Sequence, residues 1–227
     1  MSVNGFDLQC TFRTLDHHFF DGISPDGAAP KTGCYATNVD IQSRDQVVTS
    51  VNGKDLKSFT GFGYKRLEIL RQPVHFIPQG LGEFFPDLEG LKIGNSQTKE
   101  VTKNDIAQFP KLKQLHLYST DIQSLPANLF EENPDLLYIY LGHNKLTHVG
   151  KGILSPLKKL HTAYIQGNPC INLYVYSDRS RISTIIVAAL ESGCRDDTVD
   201  AMSKKNDQQK STSACEPLKS PIFISFN

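Results

Sequence analysis

Apolar residues in the middle of the chain recur in a fixed frame. Four segments align directly: YKRLEILRQPVHFI (residues 64–77), LEGLKIGNSQTKEV (88–101), LKQLHLYSTDIQSL (112–125) and LLYIYLGHNKLTHV (136–149). A fifth, LHTAYIQGNPC, starts at Leu160 and breaks off. The starts 64, 88, 112, 136 and 160 are 24 residues apart, without insertions. Apolar residues fall at positions 1, 4, 6, 11 and 14, which in the third unit are Leu112, Leu115, Leu117, Ile122 and Leu125. Alternation over positions 3 to 7 predicts a short strand with one buried face. A second apolar set follows in each unit: Leu81 and Phe84, Ile106 and Phe109, Leu129 and Phe130, Ile153 and Leu154. Pro78 and Pro126 stop the strand-side conformation after position 14; Pro86, Pro110 and Pro134 recur at position 23, on the approach to the next strand. Position 9 carries Asn144 and Asn168, whose amides suit a turn out of a strand. Gln72, Ser96 and Thr120 fit that role less well. One such unit cannot bury its apolar face alone, so the units must stack. A weaker unit, 26 residues long and starting at Asn38, would place Ile41, Val48 and Val51 at positions 4, 11 and 14.

The pattern LxxLxLxxNxLxxLPxxxF resembles the 24-residue class of extracellular leucine-rich repeats, over about residues 64–170. The resemblance implies an α/β architecture. It is a right-handed solenoid with a parallel sheet on its concave side, an irregular convex side and capped ends. Residues 1–37 are then an N-terminal cap, 38–169 the repeats, 170–194 a helical C-terminal cap and 195–227 a partly disordered tail. Cys10 and Cys34 precede the repeats and Cys170 and Cys194 follow them, which suits one disulfide clamping each end in an oxidising compartment. Free thiols in a reducing compartment are the alternative. Asn168-Pro169-Cys170 resembles the entry to the family's C-terminal cap, although that cap often has four cysteines and only two are placed for it here. A two-cysteine cap before 24-residue units is similar to some secreted insect leucine-rich-repeat proteins. Phe12, Phe19 and Phe20 are expected to plug the first repeat. Ile182, Ile185, Ile186, Ala189 and Leu190 fall at helical spacing, which predicts a helix over the last strand, started by Ser177 or Asp178 and ended by Gly193. The apolar end PIFISF either packs on the body or pairs with a sheet edge. Cys215 is the odd cysteine, either a bridge to a second chain in a dimer or a thiol without a role.

Composition narrows the function. Twenty-four basic residues offset twenty-four acidic ones in 227, so nothing favours a nucleic-acid partner. No run of 18 apolar residues exists, so no transmembrane segment is expected. The start MSVNGFDLQC has no apolar signal core: the protein stays inside the cell, or its signal has been removed. There is no N-x-[ST] sequon. The reading of a secreted, extracellular protein therefore rests on the cysteines and the resemblance.

The repeat also says which side chains face outward. Positions 4 and 6 point inward, so 3, 5 and 7 line the concave surface. Column three reads Arg66, Gly90, Gln114, Tyr138, Thr162; column five Glu68, Lys92, His116, Tyr140, Tyr164; column seven Leu70, Gly94, Tyr118, Gly142, Gln166. Four of the eight tyrosines thus share one face around His116. Exposed tyrosines offer large contact area with a hydroxyl, and a cluster suits a binding hot spot. The candidate ligand-binding residues are Tyr118, Tyr138, Tyr140, Tyr164, His116, Gln114 and Gln166, with Gly90, Gly94 and Gly142 leaving shallow dips beside the rings. The plainer alternative is that tyrosine simply suits a strand surface. On this picture Tyr140→Ala with Tyr164→Ala weakens a partner and spares stability. Arg66, Glu68, Arg71 and Lys92 are expected to form a solvated rim.

Nothing in the chain argues for catalysis. GxSxG, HExxH and P-loop motifs are absent, and no acidic pair is set by the repeat. His116, His143 and His161 have no carboxylate or cysteine in the same columns, so neither a metal nor a cofactor is expected. The reading is a non-enzymatic recognition module for a protein or for a pathogen or cell surface, the innate-immune kind included. A self-associating structural or matrix protein and a carbohydrate binder are the alternatives.

Overall fold

The computed structural model describes residues 4–15, 31–54, 65–176, 194 and 222–225. Phe19, Phe20, the expected helix at 177–193 and Cys215 lie outside the described residues. The chain begins with β1 (Asn4–Leu15), β2 (Lys31–Thr37), β3 (Gln46–Lys54) and β4 (Arg66–Leu70). Helix α1 (Leu81–Phe84), β5 (Gly90–Gly94), α2 (Lys103–Ala107) and β6 (Gln114–Tyr118) follow. Then come β7 (Ser124–Leu125), β8 (Tyr138–Tyr140), β9 (His148–Val149), β10 (Thr162–Tyr164), β11 (Leu173–Tyr176) and β12 (Ile222–Ser225). Among the described residues, ten strands form one sheet in the order β12-β11-β10-β8-β6-β5-β4-β2-β1-β3, while β7 and β9 pair separately.

From β2 to β10 every pairing is parallel. The register repeats the sequence frame, with Arg66 opposite Gly90, Gly90 opposite Gln114, Gln114 opposite Tyr138 and Tyr138 opposite Thr162. Positions 4 and 6 fill the interior: Leu67, Ile69, Leu91, Ile93, Leu115, Leu117, Ile139, Ala163 and Ile165 are buried. Leu81, Ile106, Phe109, Leu129, Phe130, Ile153 and Leu154 close the core from behind. Each large side chain so buried contributes roughly 1.5–3 kcal/mol. One expected core residue differs: Phe85 is buried, and its neighbour Phe84 only partly so. Phe85 stands at position 22, the same as Phe109, so the repeat frame selects it.

Each strand ends in the same turn. Position 8 takes a left-handed backbone in Arg71, Asn95, Ser119 and His143 (φ 50° to 56°) and in Gly167 (φ 70°). For a side-chain-bearing residue this conformation costs roughly 1–2 kcal/mol. The turn is held because the same N–H groups reach the next unit: Arg71 N donates to Gly94 O at 3.0 Å, Ser119 N to Gly142 O at 3.0 Å and His143 N to Gln166 O at 2.7 Å. Position 9 then points inward. Asn144 Nδ2 donates to Leu117 O (2.8 Å) and Leu141 O (2.9 Å), and its Oδ1 accepts from both the N–H (3.1 Å) and the hydroxyl of Thr120. Asn168 repeats this against Leu141 O, Ile165 O and Leu146 N. Gln72 at the same position performs the same task, better than its residue type suggested: Nε2 donates to Leu70 O and Oε1 accepts from Val39 N.

That turn also corrects the weaker unit. Asn38 shares the left-handed turn (φ 55°), Gly33 pairs with Arg66, Ala36 with Ile69, and Ile41 bridges Val74. The frame therefore begins at residue 31 rather than Asn38, and Ile41 stands at position 11 rather than 4. The apolar residues alone do not reveal this, because the segment between the strands is longer here and two frames fit them. Val48 and Val51 belong to β3, which runs parallel to β1 at the sheet's edge.

Both ends of the parallel run reverse direction. β1 pairs antiparallel with β2, and Cys10–Cys34 bridges them beside buried Phe12. β11 pairs antiparallel with β10, and Cys170–Cys194 closes that end. Behind the sheet, Arg44 reaches Asp105 in α2, with Nη1 at 3.1 and 3.3 Å from the two carboxylate oxygens. Asp105 is fully buried, yet it also accepts from Gln79 Nε2 (2.7 Å) and Thr102 N (2.7 Å), so its charge is compensated. Exposed ion pairs exactly one unit apart, Asp87–Lys111, Asp121–Lys145 and Asp135–Lys159, add register with little energy, under about 1 kcal/mol each.

Candidate ligand-binding face

The parallel register brings Gln114, His116, Tyr118, Tyr138, Tyr140 and Tyr164 side by side on β6, β8 and β10, about 4.8 Å from strand to strand. Gln166 follows β10 directly. These are the seven residues that the columns select. Their exposure is uneven. His116, Tyr138 and Tyr140 are buried, at 3%, 4% and 7%. Gln114, Tyr118, Tyr164 and Gln166 are half-buried, and His143 at the turn is exposed.

The rings pack on one another. His116 stacks on Tyr140 with centroids 4.0 Å apart, and Tyr140 on Tyr164 at 5.9 Å. Tyr138 meets His161 at 5.6 Å. Tyr164 Oη lies 3.3 Å from His143 Nε2. Lys92 Nζ sits 5.6 Å from the Tyr118 ring centroid, within cation–π range. The face is thus a graded stack, closed at His116 and open toward Tyr164.

Three expectations change. Two of the three glycine dips are occupied: a Cβ on Gly94 would stand 2.4 Å from the Tyr118 ring, and one on Gly142 would stand 2.1 Å from the Tyr164 ring. These glycines seat the rings. Arg66 and Glu68 are buried, at 6% each, so they are not a solvated rim, whereas Arg71 is exposed and Lys92 half-exposed. Tyr140, 7% exposed inside the stack, is a packing residue. A residue absent from the expected columns also joins them. With the first frame at residue 31, Tyr35 stands opposite Glu68 in column five. The left-handed Asn38, a residue type tolerant of that turn, is the signal that points to this frame.

Burial acts on His116 directly. Loss of water holds its pKa well below the ordinary 6.5, and the Lys92 and Arg66 charges push the same way. The unfolded chain takes up that proton near pH 6.5, while the folded face refuses it. Stability is therefore full above that pH and falls as the pH drops below it, by up to about 1.4 kcal/mol per pH unit until the folded site itself protonates. Urea denaturation along the acid limb measures the slope. His116→Phe, which keeps a ring against Tyr140, should flatten it, and an unchanged slope would assign it to other groups.

Among the described residues no group of three or more His, Cys, Asp or Glu is placed to hold a metal ion, and no helix is long and apolar enough to cross a membrane.

Comparison with known proteins agrees with the architecture. Residues 110–169 match the family model described as leucine rich repeat. Asporin of Bos taurus is 28% identical over 91 residues, which is 37% of this chain and 24% of asporin. The chain thus matches about a quarter of that relative's length. A repeating parallel sheet, a buried leucine frame and the family match over residues 110–169 together make the fold a leucine-rich-repeat solenoid.

Proposed function

We propose that the chain is a secreted, non-catalytic recognition module that takes a protein ligand on the C-terminal half of its concave face. The observation that carries this reading is the graded aromatic stack, running from buried His116 through Tyr140 to half-buried Tyr164. Tyr118, Tyr164, Gln114 and Gln166 are the contact residues, and His143 is the rim. Buried His116 and Tyr140 stack in series beside Tyr164 and limit its freedom, which lowers the ordering cost of binding. Rigid rings beside amides suit a protein surface, where aromatic anchors dominate affinity and polar neighbours set specificity. Secretion is supported by the two disulfides, which persist in oxidising compartments.

The glycines provide a clean test. Neither Gly94 nor Gly142 has a left-handed backbone, so alanine there moves a ring without removing any group. A panel of extracellular proteins, with a glycan array beside it, is screened with the wild type. Gly142→Ala and Tyr164→Ala are then measured against each hit. Both should weaken a protein hit at least tenfold, the loss expected when about 1.4 kcal/mol of contact is removed. Hits retained at full affinity by both variants would place the site elsewhere. Hits on the glycan array alone would replace the protein reading with a carbohydrate one.

A further inference from the structure

The sheet's C-terminal end is built unlike the rest. β11 hydrogen-bonds β10 on one side and β12 on the other, and β12 is the last strand in the order. Leu173 stands opposite Ile222 and Tyr176 opposite Ser225, in parallel register. Every repeat strand is joined to its neighbour by one turn of solenoid. β12, by contrast, follows β11 only after residues 177–221, and since Cys194 within them is tied to Cys170, the 27 residues 195–221 separate that disulfide from β12. Much of that connection is polar and without period, KKNDQQKSTSA among it.

Two physical consequences follow. The strand sequences LYVY and IFIS are uncharged, free of proline and rich in β-branched and aromatic residues. An uncovered edge of that kind pairs readily with another chain. Four residues of parallel ladder supply only a few hydrogen bonds, each worth about 1 kcal/mol net. A covalent connection of that length sets the local concentration of the strand at its own edge.

We propose that the β11 edge is a strand-docking site whose occupant exchanges between the chain's own β12 and the β12 of a second copy. The exchanged dimer makes the same ladder in the same register, so the strand-to-edge bonds cost nothing to swap, and concentration decides between the closed monomer and the dimer. The 27 residues between the Cys170–Cys194 disulfide and β12 are enough chain for the strand to reach a neighbouring molecule. This assignment does not depend on the concave-face ligand.

The test uses the full chain with a reductant gentle enough to spare the buried disulfides, so that Cys215 bridges do not contribute. Light scattering is recorded over rising protein concentration for the wild type and for the double variant Phe223→Pro, Ile224→Pro. One of two adjacent strand residues must donate to β11, and proline cannot. The wild type should dimerise with concentration, and the variant should need roughly tenfold more protein for the same dimer fraction. A synthetic peptide of residues 218–227, added to the wild type, should return the dimer to monomer. A wild type that stays monomeric throughout overturns the proposal. So does a dimer untouched by both the prolines and the peptide, or one seen only without reductant. A variant that associates more than the wild type also overturns it, because β12 would then only cover the edge of its own chain.

Discussion

Asn144→Ala is expected to lower the thermal midpoint by roughly 10 °C, through a loss of about 4 kcal/mol. The amide sits in the core of the turn and serves four backbone or side-chain groups. It donates to Leu117 O and Leu141 O and accepts from Thr120 N and the Thr120 hydroxyl. Residue 144 is 6% exposed, so water cannot replace these bonds without opening the turn. Each buried group left unpaired costs about 1–3 kcal/mol, and partial relaxation brings the total below the simple sum. Scanning calorimetry measures the shift. Thr120→Val makes a useful comparison, since it removes one hydroxyl and leaves the two carbonyls paired; its effect should be the smaller. A midpoint within two or three degrees of wild type for Asn144→Ala would mean that the turn is not held by this amide.

Tyr140→Ala should cost roughly 3 kcal/mol of folding stability, near the lower end for removing a buried aromatic ring. The ring is 7% exposed and lies between His116 at 4.0 Å and Tyr164 at 5.9 Å, so truncation leaves a gap in the middle of the stack. Half-buried Tyr164 should lose less than half as much when cut to alanine. Tyr140→Phe should retain most of the stability, because the ring does the packing. Urea denaturation of the three variants gives the ordering. A Tyr140→Ala loss below about 1 kcal/mol would show that the stack adds little to the fold. Because Tyr140 is buried, paired alanines at Tyr140 and Tyr164 are expected to cost stability as well as any binding. Tyr164 and Gly142 are the proper probes of binding.

Much of this is legible in the amino-acid sequence. Leu67, Leu91, Leu115 and Ile139 announce the buried rung of each strand, because a constant period can satisfy only one stacking register. The four flanking cysteines pair as expected, at equal sequence separations of 24. Other features were not legible. The first unit is longer than the rest, so its apolar residues fit two frames, and only the left-handed turn at Asn38 and the pairing of Gly33 with Arg66 select one. Asn133 occupies the position that holds Phe85 and Phe109 in earlier units, and is buried there because its amide reaches Ile106 O and Phe109 O.

The tyrosine face divides in the same way. The period by itself determined that Tyr118, Tyr138, Tyr140 and Tyr164 share one side of the sheet, because side-chain direction in a strand depends only on parity. The tertiary structure alone decided which of them water can reach. Exposure depends on what neighbouring strands place beside each ring, and Gly94, Gly142 and His116 each come from the unit before the ring they seat or stack against (Tyr118, Tyr164 and Tyr140). Local sequence carries the direction of a side chain; only the assembled sheet sets its surroundings.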